Sequence, residues 1–200
     1  MPSAASGSFL SSVASADSLK SAAGDARLRP ISAATKSDFL HAALAAYVAA
    51  WDAYLNGVVL EFRDKINDPL NVEYSGLHTR YSDFVSRSLE RFNTPNSNNS
   101  RVLLVQCTGY DPIGDWVWTR AGMNGLQART FLDEILKVRH SFAHGFSIPS
   151  YTWTVTPTGR RQLSGGSVEK ARRFLRHIVL VTDAGLWAHG RSQYPTKHHW

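Results

Sequence analysis

The chain predicts an all-α protein, a bundle of long antiparallel helices with a short extended or hairpin segment near residues 151–163. Three observations carry this reading. Apolar residues recur at three- and four-residue steps through several long windows, the period of a helix with one buried face. Capping residues, Gly and Pro punctuate the ends of those windows. Alternation at a period of two, the mark of a strand, is clearest in Tyr151-Thr-Trp-Thr-Val-Thr156, with a Thr158-Gly159 turn behind it.

Length and charge bound the rest. Two hundred residues suit one domain with a tail, and a formal charge of +6 favours an anionic partner such as nucleic acid. A single cysteine, Cys107, allows no intrachain disulfide and no cysteine metal cluster, which suits a reducing compartment. No uninterrupted apolar run approaches the roughly 20 residues of a membrane span. The N-terminus lacks a basic start followed by an apolar segment. A cytoplasmic protein with no membrane partner is the expectation. The organisation expected is a poorly ordered Ala/Ser-rich arm over residues 1–30, a helical domain over 31–190 and a loose tail over 191–200. A short helix near Ala16–Ala23 is compatible with the arm.

Each element has its own signal. Thr35 or Ser37 can cap a long helix reaching Ile66, with Leu40, Leu44, Tyr47, Trp51, Leu55, Val58, Phe62 and Ile66 as its core stripe and Asn67-Asp68-Pro69 as its stop. A second helix fits Leu77–Phe92, with Leu77, Tyr81, Phe84, Leu89 and Phe92 inward. Asn93–Ser100 is a loop by turn chemistry. Arg101–Thr108 fits a buried strand or a short helix, and Gly109 behind it favours the helix. Tyr110–Trp118 reads as a packed connector. A helix follows from Asn124 to about Ala143. Ser167 caps the last one, to about Ala188, with Val168, Ala171, Leu175, Ile178, Thr182 and Leu186 inward. Lys170, Arg172, Arg173 and Arg176 lie on its other face and, with Arg160 and Arg161, form the strongest basic patch. That patch fits a solvated face at least as well as a nucleic-acid contact.

The stretch Leu132–Phe146 carries the chemistry. At about 100° per residue, Phe131, Leu132, Ile135, Leu136, Val138 and Phe142 fall on one arc, with Asp133, Glu134, Lys137, His140 and Ser141 opposite. Arg139 falls inside the apolar arc, although a guanidinium needs anionic or hydrogen-bonding partners. His144 and Gly145 close the helix. Alone, the Arg139–His144 spacing says little. Arg172 and His177 repeat it, and Ala188-His189-Gly190 repeats the ending. On an ideal helix Arg139 and His144 would lie about 140° apart. They can meet only if the helix ends before His144, or if two chains share a cleft.

In its full frame, Ile135-Leu-Lys-Val-Arg139-His140-Ser-Phe-Ala143-His144-Gly145 resembles the signature of HEPN domains, worded Arg-Asn-x-x-Ala-His-Gly, with His140 where asparagine is common. The long first helix with Trp51-Asp-Ala-Tyr54, the segment Gly109–Trp116 and the closing helix are similar in order to the RiboL-PSP-HEPN branch, over residues 35–190. The resemblance implies a HEPN-like helical bundle that dimerises through its motif helices. It also implies metal-independent cleavage of RNA without a cofactor, with Arg139 and His144 as catalytic residues and His140 in the second motif position. A role as a toxin or phage-defence effector, and an antitoxin or other regulatory partner, are implied in the same way. Some such toxins carry a modifiable tyrosine two residues after the histidine; here Phe146 stands there and cannot be modified so.

The residue types suit this chemistry. Histidine serves acid–base work near neutral pH, and the arginine fork matches phosphate oxygens. Two other classes compete: a non-catalytic HEPN module that binds RNA, a nucleotide or a protein, and an interaction bundle touching nucleic acid only through the basic face of its last helix.

Overall fold

The computed structural model describes residues 2–25, 27, 32–67 and 72–195. Among these the secondary structure is helical: α1 (Ala4–Ala22), α2 (Ala33–Ile66), α3 (Ser75–Arg91), α4 (Ser97–Thr108), α5 (Gly125–Ala143) and α6 (Gly165–Gln193), with single 3₁₀ turns at Val72–Tyr74, Pro112–Gly114 and Thr119–Ala121. The all-α expectation holds. Over 151–163 the chain makes turns and one isolated antiparallel bridge, Val155 with Arg161, rather than strands.

Helix α2 is the axis of the bundle and packs against every other helix. Its stripe is buried from Leu40 to Phe62, and Ile66 is partly buried against the same core. Ser32 rather than Thr35 or Ser37 caps it, its hydroxyl accepting from the Thr35 N–H. Pro69 lies outside the described residues. By length and composition α2 is apolar enough to cross a membrane, with a mean hydropathy of 1.3 over an 18-residue window. The count of uninterrupted apolar residues does not register this. In the bundle 56% of that window is buried, so its apolar surface serves as core.

The expected loose arm is corrected. Residues 4–22 form a regular helix capped by Ser3, whose side chain accepts from the Ser6 N–H. Ala5, Phe9, Val13 and Ala16 recur at helical steps and are buried on the bundle. The stripe is made mostly of small residues, so composition hides it; the docking surface stabilises it, not intrinsic propensity. Close approach is part of the fit, since a Cβ on Gly57 would sit 3.2 Å from the Ala5 Cβ. Polar bonds fix the register. The Ser3 N–H and hydroxyl both donate to Asp183. Asp17 accepts from Tyr47 Oη at 2.5 Å and from Arg172 Nε and Nη2 at 2.7 and 2.8 Å, and Lys20 pairs with Glu169.

Helix α3 departs most from its expected face. Leu77 and Phe84 are 65% and 44% exposed, and Val85 is its one fully buried residue. Tyr81, Leu89 and Phe92 do pack on the core. Because α3 touches the bundle along a single edge, its apolar stripe is wider than the surface available to cover it. Segment Arg101–Thr108 is helical as expected, within a longer α4 that Asn96 caps and Gly109 ends at φ +74°. The connector is packed: Tyr110 and Trp116 are buried, and Trp116 Nε1 donates to Thr182 Oγ1 at 2.8 Å. Helix α6 starts at a Ser164 cap and continues past Ala188 to Gln193, so the expected tail begins as helix. Tyr194 packs edge-on to Phe62 at 5.9 Å, and residues 196–200 lie outside the described residues.

Two outcomes follow for stability. Burial raises the Asp17 carboxyl, but hydrogen bonds from Arg172 and Tyr47 outweigh it and hold the group below its ordinary value. A depressed carboxylate stabilises above its unfolded pKa, and that contribution is lost as pH falls through the folded value. Amide protection of α1 in hydrogen exchange is therefore expected to fall below about pH 4, and Asp17→Asn should show the same loss already at neutral pH. The second outcome concerns Gly185, where a Cβ would overlap Tyr110 Oη and Asp115 Oδ2, whereas Gly7 faces open space. Gly185→Ala should cost about 1–3 kcal/mol in urea unfolding, and Gly7→Ala should add about 0.5–1 kcal/mol. Equal effects would contradict this packing.

Candidate functional site

Helix α5 positions the candidate residues, and its own anchors are clear. Asn124 and Gln127 form a reciprocal capping box at its start. Phe131 packs edge-on to Phe174 at 4.9 Å and to Trp153 at 5.4 Å. Asp133 accepts from the Ser97 N–H and hydroxyl at 2.8 and 2.9 Å, tying α5 to the start of α4. Glu134 accepts from Trp153 Nε1 at 2.9 Å.

The helix ends within the motif. Ala143 is its last residue, and His144 leaves helical geometry at φ −110°, ψ 9°. Gly145 takes φ +68°, a left-handed conformation that favours glycine. Its N–H bonds the Phe142 carbonyl at 3.2 Å, and the Phe146 N–H bonds the Ser141 carbonyl at 2.7 Å. This pair of bonds is the Schellman motif, which satisfies the terminal carbonyls. The other copy of the ending differs. Ala188-His189-Gly190 lies inside α6, with His189 Nε2 at 3.1 Å from the Thr108 carbonyl oxygen. The other copy of the spacing is also structural. Arg172 pairs with Asp17 and Glu169, and His177 Nε2 bonds the Val117 carbonyl at 2.7 Å.

The wheel places five of the six expected apolar residues correctly, and the last turn breaks from it. Phe131, Leu132, Ile135, Leu136 and Val138 are buried, but Phe142 is 44% exposed and Ser141 is buried, its hydroxyl donating to the Val138 carbonyl. Phe142 has one aromatic partner, His41, stacked at 4.5 Å. Arg139 is exposed, not packed. It lies one turn beyond the fully buried Ile135, in the lining of an open cleft.

That cleft holds about 650 Å³. Val48 and Asp52 of α2, Asn93 and Pro95 of the loop after α3, Asn98 of α4, Arg139 and His140 of α5, and Phe146 line it. His144 joins this group through its ring, 4.1 Å from that of His140 and stacked on Phe146 at 6.0 Å. The structure thus brings Arg139, His140 and His144 to one end of α5. Neither His140 nor His144 is hydrogen-bonded through its ring among the described residues. The loop wall is fixed by Trp51, whose Nε1 donates to the Pro95 carbonyl at 2.9 Å.

Asp52 was missed from the sequence. Burial raises its carboxyl above the ordinary value, against the opposing effects of the Asn56 amide and the positive charge of Arg139. Arg139 acts here through charge, without an ion-pair contact. A signal was available, because Asp52 is the sole charged residue between Asp38 and Glu61 in an otherwise apolar helix. The expected basic patch on α6 is largely satisfied internally. Arg172 and Arg173 pair with acids, and Lys170 sits over the Phe131 ring at 5.0 Å. Cys107 is buried and its thiol is pushed up by that burial. No three His, Cys, Asp or Glu side chains among the described residues converge to hold a metal ion. No protein-family model, curated protein or solved structure matches the chain.

A raised carboxyl binds protons more tightly folded than unfolded, so stability falls as pH rises through that window and stays lower above it. Asp52→Asn removes this cost. Its melting temperature is expected to exceed that of the parent at pH 7, and the difference should shrink below about pH 4. A lower melting temperature at pH 7 would show that the carboxylate is stabilised in its cleft.

Proposed function

We propose that this chain is a metal-independent endoribonuclease of the HEPN type, acting as a homodimer. The observation that carries the reading is Arg139 and His140 in the lining of one open cleft, with the His144 ring one turn on at 4.1 Å from that of His140. In the proposed reaction a ribose 2′-oxygen attacks the adjacent phosphorus. One basic group removes the 2′-hydroxyl proton, and an acidic group delivers a proton to the departing 5′-oxygen as the P–O5′ bond breaks. The products are a 2′,3′-cyclic phosphate and a 5′-hydroxyl.

Arg139 would bind the phosphate and offset charge on the phosphorane, since it is exposed in the cleft and forms no ion pair among the described residues. His144 would transfer protons, with His140 beside it as helper. Asp52 would orient Arg139 through its charge. Two features favour a second copy at this site. Phe142 and Phe146, at the motif end of α5, are 44% and 64% exposed. The histidine rings also lack the hydrogen-bonded orienter that catalytic imidazoles commonly use. The same free rings favour a second reading, a HEPN module that binds RNA without cutting it. A toxin or defence role and an antitoxin partner rest on the resemblance alone.

The test is cleavage of an RNA pool in EDTA with product-end analysis. Arg139→Ala and His144→Ala should each lower the rate by about 10²-fold or more, and His140→Ala less. Sedimentation should show a dimer at micromolar protein. Absence of cleavage from about pH 5 to 9 with RNA still bound would select the binding module, and a monomer would remove the shared cleft.

A further inference from the structure

A second concavity of about 530 Å³ lies between α3 and α4. Phe84, Arg87 and Arg91 line it from α3, where their three- and four-residue spacing puts them on one face. Asn99, Val102 and Gln106 line it from α4, again at three- and four-residue steps. No carboxylate is among its lining residues. Arg87 and Arg91 are exposed and form no ion pair among the described residues, although Asp83 and Glu90 lie on the same helix. Two unpaired cations one turn apart repel each other, a cost that a polyanion relieves. Phe84 is 44% exposed and Val102 is 41% exposed. An exposed aromatic ring beside paired cations is the combination that single-stranded nucleic acid uses, with a base on the ring and phosphates on the cations. Asn93 borders both this groove and the Arg139 cleft, so the two concavities meet at that residue.

We infer that the α3–α4 groove binds single-stranded RNA as a continuation of the Arg139 cleft, with Arg87 and Arg91 on phosphates and Phe84 under a base. This rests on the ribonuclease reading for the direction of the strand into the cleft, and on the groove's own charge for the binding.

The test uses the full chain with His144→Ala, so that RNA stays intact, and a fluorescein-labelled oligouridine of roughly 12 nucleotides, within the site sizes such grooves take. Anisotropy should show binding that weakens with salt. Adding Phe84→Ala should weaken it by about tenfold. Adding Arg87→Glu with Arg91→Glu should weaken it further and lower the log–log salt slope by about 1.4, or about 0.7 per lost phosphate contact. Arg176→Glu, on the α6 face, should leave binding unchanged. Circular dichroism melts check that each variant is folded. Unchanged affinity in the double charge reversal, or loss confined to Arg176→Glu, overturns the inference. So does binding of a protein partner, but no oligouridine, at this face. A groove that binds oligouridine as expected, in a chain that cuts no RNA, leaves this inference standing and removes the ribonuclease. Cleavage with unchanged KM in Arg87→Glu/Arg91→Glu does the reverse.

Discussion

The hydrogen bond from the Trp51 indole to the Pro95 carbonyl is the constraint on which the rest of the molecule turns. Trp51 is fully buried midway along α2, against Tyr54 at 5.7 Å and Trp116 at 6.3 Å. A buried indole N–H left without an acceptor would cost on the order of 1–3 kcal/mol. Meeting that need pins the loop after α3 to the core. The same loop caps α4 through Asn96 and forms the wall between the two concavities. One contact therefore links the packing of the core to the loop that borders both concavities.

The cations divide by the partners they find. On α6, Arg172 bridges to Asp17 of α1, where Tyr47 also donates, and Arg173 pairs with Glu169 of its own helix, while Arg176 makes no ion pair among the described residues. On α3 and at the end of α5 the arginines are left open. Charge alone, counted along the chain, points to α6, where basic residues are densest. The partners decide otherwise, because a guanidinium already bridging two carboxylates has little left to offer a phosphate. Arg139 sits between these extremes. It feels Asp52 across the cleft without closing on it, and Asp52 remains charged only against the penalty of its own burial. Groups held at such a cost are commonest where chemistry or binding is done.

The end of α5 shows how much a local motif can specify. The Schellman bonds and the positive φ of Gly145 are decided by nearby residues. They end the helix at His144, whose ring lies one turn from that of His140 at 4.1 Å. Arg172 and His177 share the spacing of Arg139 and His144 but lie within a continuous helix, so the first serves the fold and the second a connector. Identical spacing has different consequences because only one copy is followed by a helix stop.

The sequence by itself determined the helical class, the α2 stripe, the inward face of α6, the end of α5 at its glycine and the grouping of Arg139, His140 and His144 on one helix. These depend on periodicity and caps, which act within a few residues. It did not reveal the order of residues 4–22, whose small side chains become a stripe only against Gly57 and the core of α2. It also misassigned Leu77, Phe84 and Phe142, all on apolar arcs that the bundle leaves partly uncovered. A helical wheel gives the direction of a side chain but not whether a neighbour stands there. That depends on which elements cover the end of α5 and how narrowly α3 is seated. Only the tertiary structure decides these, because they are set by contacts between residues far apart in the chain.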